Sequence, residues 1–332
     1  MQDKAALPRN VPSSDKEPEL EIEIEHSKVT MILQKCCEFD NQINFLSEAY
    51  HLVHGGPKTL FYNSSNLAKI ETPMKNTVLH IAALHGNEDI VTLIVEHAPK
   101  LFDDAKPEGL SPIGATIMKR DQVMLRNILQ EKPTWIHLMD TYKRLPLHYA
   151  SAIGYLEGVV YLLGICKCCT IQRDKYGYFP IHLASHGGHV EVVKKLLEYC
   201  PDPTEMLDTS RRRNILHIAS NYGKHEVVRY ILQSDQIREL DKNHKMINEK
   251  DSEGNTPLHL AAKSCHPKTI FYLTWDERVN LDVINQNNET ALDVVNSISQ
   301  LSNSSTRQVS TAMILNMFMS RVDFPFKIDY NL

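Results

Sequence analysis

Cys166, Cys168 and Cys169 are followed by His182, His186 and His189, six potential metal ligands within 24 residues. Thiolate sulfur and imidazole nitrogen are the donors zinc takes in closed, four-coordinate sites. The spacing argues against one here: Cys-x-Cys-Cys followed by His-x3-His-x2-His matches no standard zinc pattern. The expectation is no metal and no cofactor, with the thiols filling gaps between packed elements as small apolar side chains. Other chemistry has less support still. "GLSPIGATIMKR", Gly109–Arg120, lacks the Gly-Lys-Ser/Thr ending of a phosphate-binding loop. No nucleophile elbow or kinase signature set is present. The acidic pair Glu88-Asp89 sits at a helix start, where negative charge suits the dipole. An enzyme is not expected.

The elements that hold these histidines explain most of them. "TVLHIAALHGNEDIVTLI" begins at Thr77, "LPLHYASAIGYLEGVVYLL" at Leu145 and "FPIHLASHGGHVEVVKKLL" at Phe179. "NILHIASNYGKHEVVRYIL" follows from Asn214 and "TPLHLAAKSCHPKTIFYL" from Thr256. Their aligned histidines, His80, His148, His182, His217 and His259, are 68, 34, 35 and 42 residues apart. The first interval holds a weaker copy from Leu110, and the last an insertion placed in "SDQIRELDKNHK", Ser234–Lys245. A partial copy, "NQNNETALDVV", starts at Asn285. Thr or Ser before Pro opens a helix with a capping oxygen and a first-turn residue that has no N–H to satisfy. Gly86, Gly154, Gly188 and Gly223 end that helix where a left-handed residue is wanted. A second helix follows, its apolar face marked by Val190, Val193, Leu196 and Leu197. Each unit alone leaves apolar faces bare, so units must stack.

The pattern resembles the ankyrin repeat, whose period is about 33 residues and whose signature is T-P-L-H-x-A. "GNTPLHLAA", Gly254–Ala262, is the cleanest instance. The resemblance implies an all-α solenoid of helix-turn-helix units with β-turn fingers, about seven of them over residues 70–295. It also implies that His182 and His189 are structural, leaving His186 as the one of the three that faces a partner. Within that family, "NTVLHIAALHGNEDIV" and "RRRNILHIASNYGKHEVV" are similar to plant accelerated-cell-death-like ankyrin proteins, which act in defence, cell-death and stress signalling at membranes. Those proteins carry a C-terminal transmembrane block; no apolar stretch here reaches 18 residues. The chain is therefore expected to be a soluble relative or a truncated product.

The flanks are read from composition. Residues 1–28, with the acidic run "DKEPELEIEIE", are expected to be a disordered tail, and 29–69 a helical cap or degenerate repeat. Residues 296–332 read as a polar linker and tail. Seven cysteines with no framework spacing, and no signal sequence, suggest a reducing cytoplasmic setting, peripheral to the plasma membrane at most through partners. A net charge of −5 argues against nucleic acid.

Function then rests on the surface. Carried over from the ankyrin fingers, the exposed tips are Thr141, Tyr142 and Arg144; Lys175, Tyr176 and Tyr178; Ser210, Arg211 and Arg213; and Ser252, Glu253 and Asn255. His186, Asn221, Tyr222 and Lys263 are expected on the inner helices facing the same groove. The resulting basic and aromatic stripe points to other proteins as partners, an acidic segment first and anionic lipid headgroups second. The expected role is a protein–protein interaction module, the alternative a regulatory subunit oligomerising with longer membrane-spanning ankyrin paralogues. The copy at Leu110 has Gly114 in the histidine position and Arg120 in the glycine position, so a looser junction is expected there.

Overall fold

An aspartate at the head of each unit folds the chain back on itself. Asp174 Oδ1 accepts the N–H groups of Tyr176 and Tyr178, both at 2.9 Å, and the Gly177 N–H donates to the Asp174 carbonyl at 3.0 Å. Asp140 and Asp251 make the same pair of side-chain bonds, and Asn285 makes them in the last finger. Successive fingers are joined by backbone bonds. Lys175 N–H donates to Tyr142 O at 2.7 Å, Ser252 N–H to Arg211 O at 2.8 Å, and Gln286 N–H to Glu253 O at 3.2 Å.

The computed structural model describes residues 111–200, 202–301 and 305–320, together with Ala83. All of them belong to one unit, Leu52–Leu332. The expected tail at 1–28, the cap at 29–69, the motif histidine His80 and the last residues of the chain lie outside them. Among the described residues the regular structure is helical, with no β-strand.

Helices alternate between two layers. The first helices of the units are α1 (Pro112–Met118), α3 (Pro146–Ala152), α5 (Pro180–Gly187), α7 (Ile215–Asn221) and α11 (Pro257–Lys263). Each packs on the next, and α11 packs on α13 (Ala291–Leu301). The second helices are α2 (Gln122–Glu131), α4 (Leu156–Ile165), α6 (Val190–Leu197), α8 (His225–Gln233) and α12 (Pro267–Trp275), which stack in the same order. The core lies between the layers. Ala150, Ala184, Ala219 and Ala261 have no exposed surface and let the first helices approach closely, while Val193, Leu196 and Leu197 fill the space under α6.

Helix starts are made in two ways. Ser111 Oγ accepts the Gly114 N–H at 3.1 Å, and Thr256 Oγ1 caps α11. Leu145 and Phe179 have no oxygen to offer. The motif histidine bonds the start with or without that oxygen: Nδ1 of His148 accepts the Leu145 N–H at 3.1 Å, and Nδ1 of His182, His217 and His259 accept those of Phe179, Asn214 and Thr256, each at 3.3 Å.

Left-handed residues occupy the fingers whether or not glycine is present. Gly177 and Gly254 have φ of 84° and 78°; Lys143 and Arg212 hold the same place at 57° and 56°. A side chain in that region costs about 1 kcal/mol, partly offset because glycine loses more entropy on folding. Arg212→Gly is therefore expected to raise the melting temperature slightly or leave it unchanged. A clear drop would mean that the Arg212 side chain supplies a contact worth more than the strain.

Two stretches add helices outside the repeat pattern. The insertion after α8 is ordered as α9 (Asp235–Leu240) and α10 (Lys245–Asn248), which bury Ile237, Met246 and Ile247. The run expected as a polar linker and tail is helical: α13 continues to Leu301, and α14 (Thr306–Met319) packs on α12 and α13. Thr311 and Leu315 are buried, and Phe318 meets the rings of Phe271 and Trp275 at 6.3 and 6.0 Å. Serine and asparagine lowered the apparent apolarity of this run, yet a few well-placed apolar side chains suffice to seat α14 on the exposed end of the stack.

Candidate functional site

The motif histidines are tied into the stack. While Nδ1 caps its own helix, Nε2 donates to a carbonyl of the following unit: His148 to Tyr178 O at 3.3 Å, His182 to Met206 O at 2.9 Å, His217 to Glu249 O at 2.9 Å and His259 to Glu289 O at 3.0 Å. This uses both nitrogens of a neutral ring. Burial holds His148 down to about 3, and His182 and His217 down to about 4. His189 works in the opposite direction, donating to Ala152 O of the preceding unit at 2.9 Å, and its ring fills the space beside Gly154, where a Cβ would lie 2.3 Å from it. His266 repeats this bond to Asn221 O at 3.0 Å. The four motif rings have no nitrogen left for a substrate or a metal.

The finger tips divide into exposed and buried sets. Tyr142, Tyr176 and Tyr178 are half-buried, and Thr141, Lys175, Ser210 and Ser252 are exposed. Tyr142 stacks on Tyr176 with centroids 6.2 Å apart, and the Lys175 ammonium lies 5.9 Å from the Tyr142 ring. On the first helices, His186 meets Tyr222 edge-on at 4.1 Å; both are half-exposed, Asn221 is half-buried, and Lys263 is exposed.

Arg144, Arg213 and Asn255 are not tips. They are 3, 4 and 5% exposed. Arg213 Nε lies 3.1 Å from Asp251 Oδ2, Arg144 Nε lies 3.6 Å from Asp174 Oδ2, and Asn255 Oδ1 accepts from Asn285 Nδ2 at 3.3 Å. In these three fingers the closing residue thus reaches the turn carboxylate or amide of the next one, whereas Tyr178, which closes the finger between those of Arg144 and Arg213, lies against His182. Burial raises the Asp174 carboxyl, against the Tyr178 N–H and the Arg144 charge that lower it. Arg211 and Lys263 both pair with Glu253, at 3.2 and 3.6 Å, so much of the expected positive stripe is offset. The exposed basic tips are Lys143, Lys175 and Arg212.

Of the three cysteines expected to be buried fillers, one is buried. Cys169 is buried, Cys166 half-buried and Cys168 exposed, on a 3₁₀ turn at Lys167–Ile171 that follows α4. Exposed His137 ends a second such turn, Pro133–His137, that follows α2. The ligand atoms of His137, Cys166, Cys168 and Cys169 lie within 4.8 Å of one another, with Cys169 Sγ 3.6 Å from His137 Nδ1. Burial pushes the Cys166 thiol up, but hydrogen bonds from Cys168 and Cys169 outweigh it and leave it below its ordinary value. Cys168 is raised by its hydrogen bond to Cys166, and Cys169 by burial and the charge of Cys166. Elsewhere, a cleft of about 610 Å³ is lined by Arg229, Arg238 and Arg278, whose guanidinium groups already bond to Glu226, Leu232 O and Asp276.

The sequence matches the family described as ankyrin repeats (3 copies) at residues 49–171, 115–206, 147–246 and 201–285, most of the chain together. The chain belongs to the ankyrin-repeat family. Ankyrin repeats are generally protein-interaction modules and typically not enzymes. A putative E3 ubiquitin-protein ligase of Arabidopsis thaliana is 31% identical over 190 residues, 56% of this chain and 34% of that protein. A probable serine/threonine-protein kinase of Dictyostelium discoideum is 36% identical over 70 residues, 21% of this chain and 8% of that protein. The chain thus spans about a third or less of these curated relatives. A solved structure of a predatory endopeptidase from Bdellovibrio bacteriovorus in complex with an immunity protein aligns with TM-score 0.48 and 20% identity, over 61% of this chain and 96% of that one. No helix among the described residues is long and apolar enough to cross a membrane.

The ankyrin period could have located the fourth member of the cysteine cluster. His137 and Ile171 hold the same place in successive turns, 34 residues apart, and stacking sets each such turn beside the next. The downstream histidines are engaged elsewhere: His182 at its own helix start, His186 against Tyr222 and His189 on Ala152 O. The buried arginines carried no such signal, because finger positions alternate between tip and inter-finger contact only once the hairpins are stacked.

Proposed function

We propose that this chain is a non-enzymatic binding module that takes an acidic protein segment across its finger tips and first helices. The observation that carries this reading is the half-exposed aromatic surface of Tyr142, Tyr176 and Tyr178 beside the exposed Lys175, continued by the His186–Tyr222 pair. Tyrosine is costly to leave on a surface for solubility alone and is enriched at the energetic centres of interfaces. Lys143 and Arg212 extend positive charge along the tips, while Glu253 offsets the charge of Arg211 and Lys263. The resemblance to plant accelerated-cell-death-like ankyrin proteins supports a setting in defence, cell-death or stress signalling.

The test reverses charge where it is exposed. A variant with Lys143→Glu, Lys175→Glu and Arg212→Glu is expected to keep its melting temperature and to lose about tenfold in affinity for acidic partner proteins captured by the wild type, with a weaker salt dependence. Capture of the same proteins at the same salt sensitivity would place the binding surface elsewhere. Loss of binding to anionic vesicles, with protein capture intact, would replace the acidic segment by a lipid headgroup.

A further inference from the structure

The geometry points to a four-coordinate zinc site made of Cys166, Cys168, Cys169 and His137. A tetrahedral zinc with Zn–S near 2.3 Å and Zn–N near 2.0 Å sets its donors about 3.5–3.8 Å apart. Cys169 Sγ and His137 Nδ1 are already 3.6 Å apart, and all four donor atoms fall within 4.8 Å of one another. Closing the rest needs shifts of about 1 Å, and the two exposed ligands, Cys168 and His137, have room to make them. Three sulfurs and one imidazole are a soft donor set that selects zinc over magnesium or calcium. Four protein ligands leave no open position, so the site is structural and not hydrolytic. On binding, three thiol protons pass to solvent and His137 ligates as a neutral ring through Nδ1, keeping its Nε2–H.

Its place in the stack gives it a task. His137 follows α2 and the cysteines follow α4, so the metal would tie two successive units at their outer ends. This is the junction where Gly114 replaces the motif histidine. In the later units that ring donates to the next unit's carbonyl; here no such ring exists. Arg120 Nη2 offers one exposed bond across the junction, to Ile153 O at 2.7 Å. A zinc staple would supply the restraint that the missing ring does not. This inference is independent of the binding surface proposed above, which lies on the fingers.

Metal content decides it. The full chain, produced with zinc in the medium and desalted under reducing conditions, is expected to carry about one zinc per chain. Cys168→Ser and His137→Ala should each lose it, whereas Cys200→Ser should keep it. Both lost ligands are exposed, so in chelator these variants should melt with the wild type, which separates metal loss from misfolding. Cobalt substitution should give the visible bands of a tetrahedral thiolate centre. Stripping zinc should speed amide exchange in α1 and α2 about tenfold or more while leaving α7 and α8 unchanged. Less than a tenth of an equivalent of zinc, or full zinc in both ligand variants, would overturn the site. Exchange in α1 and α2 that ignores the metal would overturn the staple.

Discussion

Between pH 7.5 and pH 5 the repeat stack should lose about 6 kcal/mol of stability, from three histidines alone. Burial holds His148 down to about 3 and His182 and His217 down to about 4 in the folded chain, against an unfolded value of 6.5. Below pH 6.5 the unfolded chain binds protons that the folded chain refuses. Stability is therefore complete above that value and falls as the pH drops toward 4. At pH 5 each ring contributes about 2 kcal/mol to the loss. His189, His259 and His266 are also lowered by burial and add in the same direction. Asp174 and Glu249, raised by burial, work against this, since their folded forms take up protons more readily. The contribution of the three rings alone is comparable to the lower end of an ordinary domain's stability, about 5 kcal/mol. A melting-temperature series across this range measures it, and His182→Gln should remove one proton from the slope. A melting temperature unchanged from pH 7.5 to 5 would mean that the rings are charged in the native stack, contrary to their paired bonding.

The second large effect is at Arg213. Arg213→Ala should cost about 3 kcal/mol, the lower edge of the range for breaking a buried ion pair. The Asp251 carboxylate then keeps two N–H donors, from Glu253 and Asn255 on Oδ1, but loses the guanidinium 3.1 Å from Oδ2. Arg213→Lys should recover little, because an ammonium cannot present the Nε edge at that distance. Arg213→Met combined with Asp251→Asn should cost less than the sum of the single changes, since each single change strands the opposite buried charge and the double variant strands none. Urea unfolding followed by circular dichroism is the measurement. A loss below about 1 kcal/mol for Arg213→Ala would mean that water reaches Asp251 and the pair acts as a surface one.

The helical repeat was legible in the sequence because its causes are local. A proline at the first helical position, a histidine three residues past the cap and an apolar stripe at helical spacing each act within a turn or two. The structural roles of His182 and His189 came instead from the family resemblance, since both rings bond to carbonyls of a neighbouring unit. The two layers, the stacked order of units and the turn positions of Lys143 and Arg212 follow from the same period. What lay outside the sequence reading involves residues about one repeat apart that meet only when units stack. Arg144, Arg213 and Asn255 look like any exposed finger residue until the next finger brings Asp174, Asp251 or Asn285 against them. Cys166, Cys168 and Cys169 look like isolated thiols until the preceding turn delivers His137. The α14 helix gains its place only once α12 and α13 are stacked beside it, where Leu315 is buried and Phe318 meets the rings of Phe271 and Trp275. Helix caps and apolar periodicity are properties of one unit, whereas burial of a charge or assembly of four ligands is a property of the junction between two.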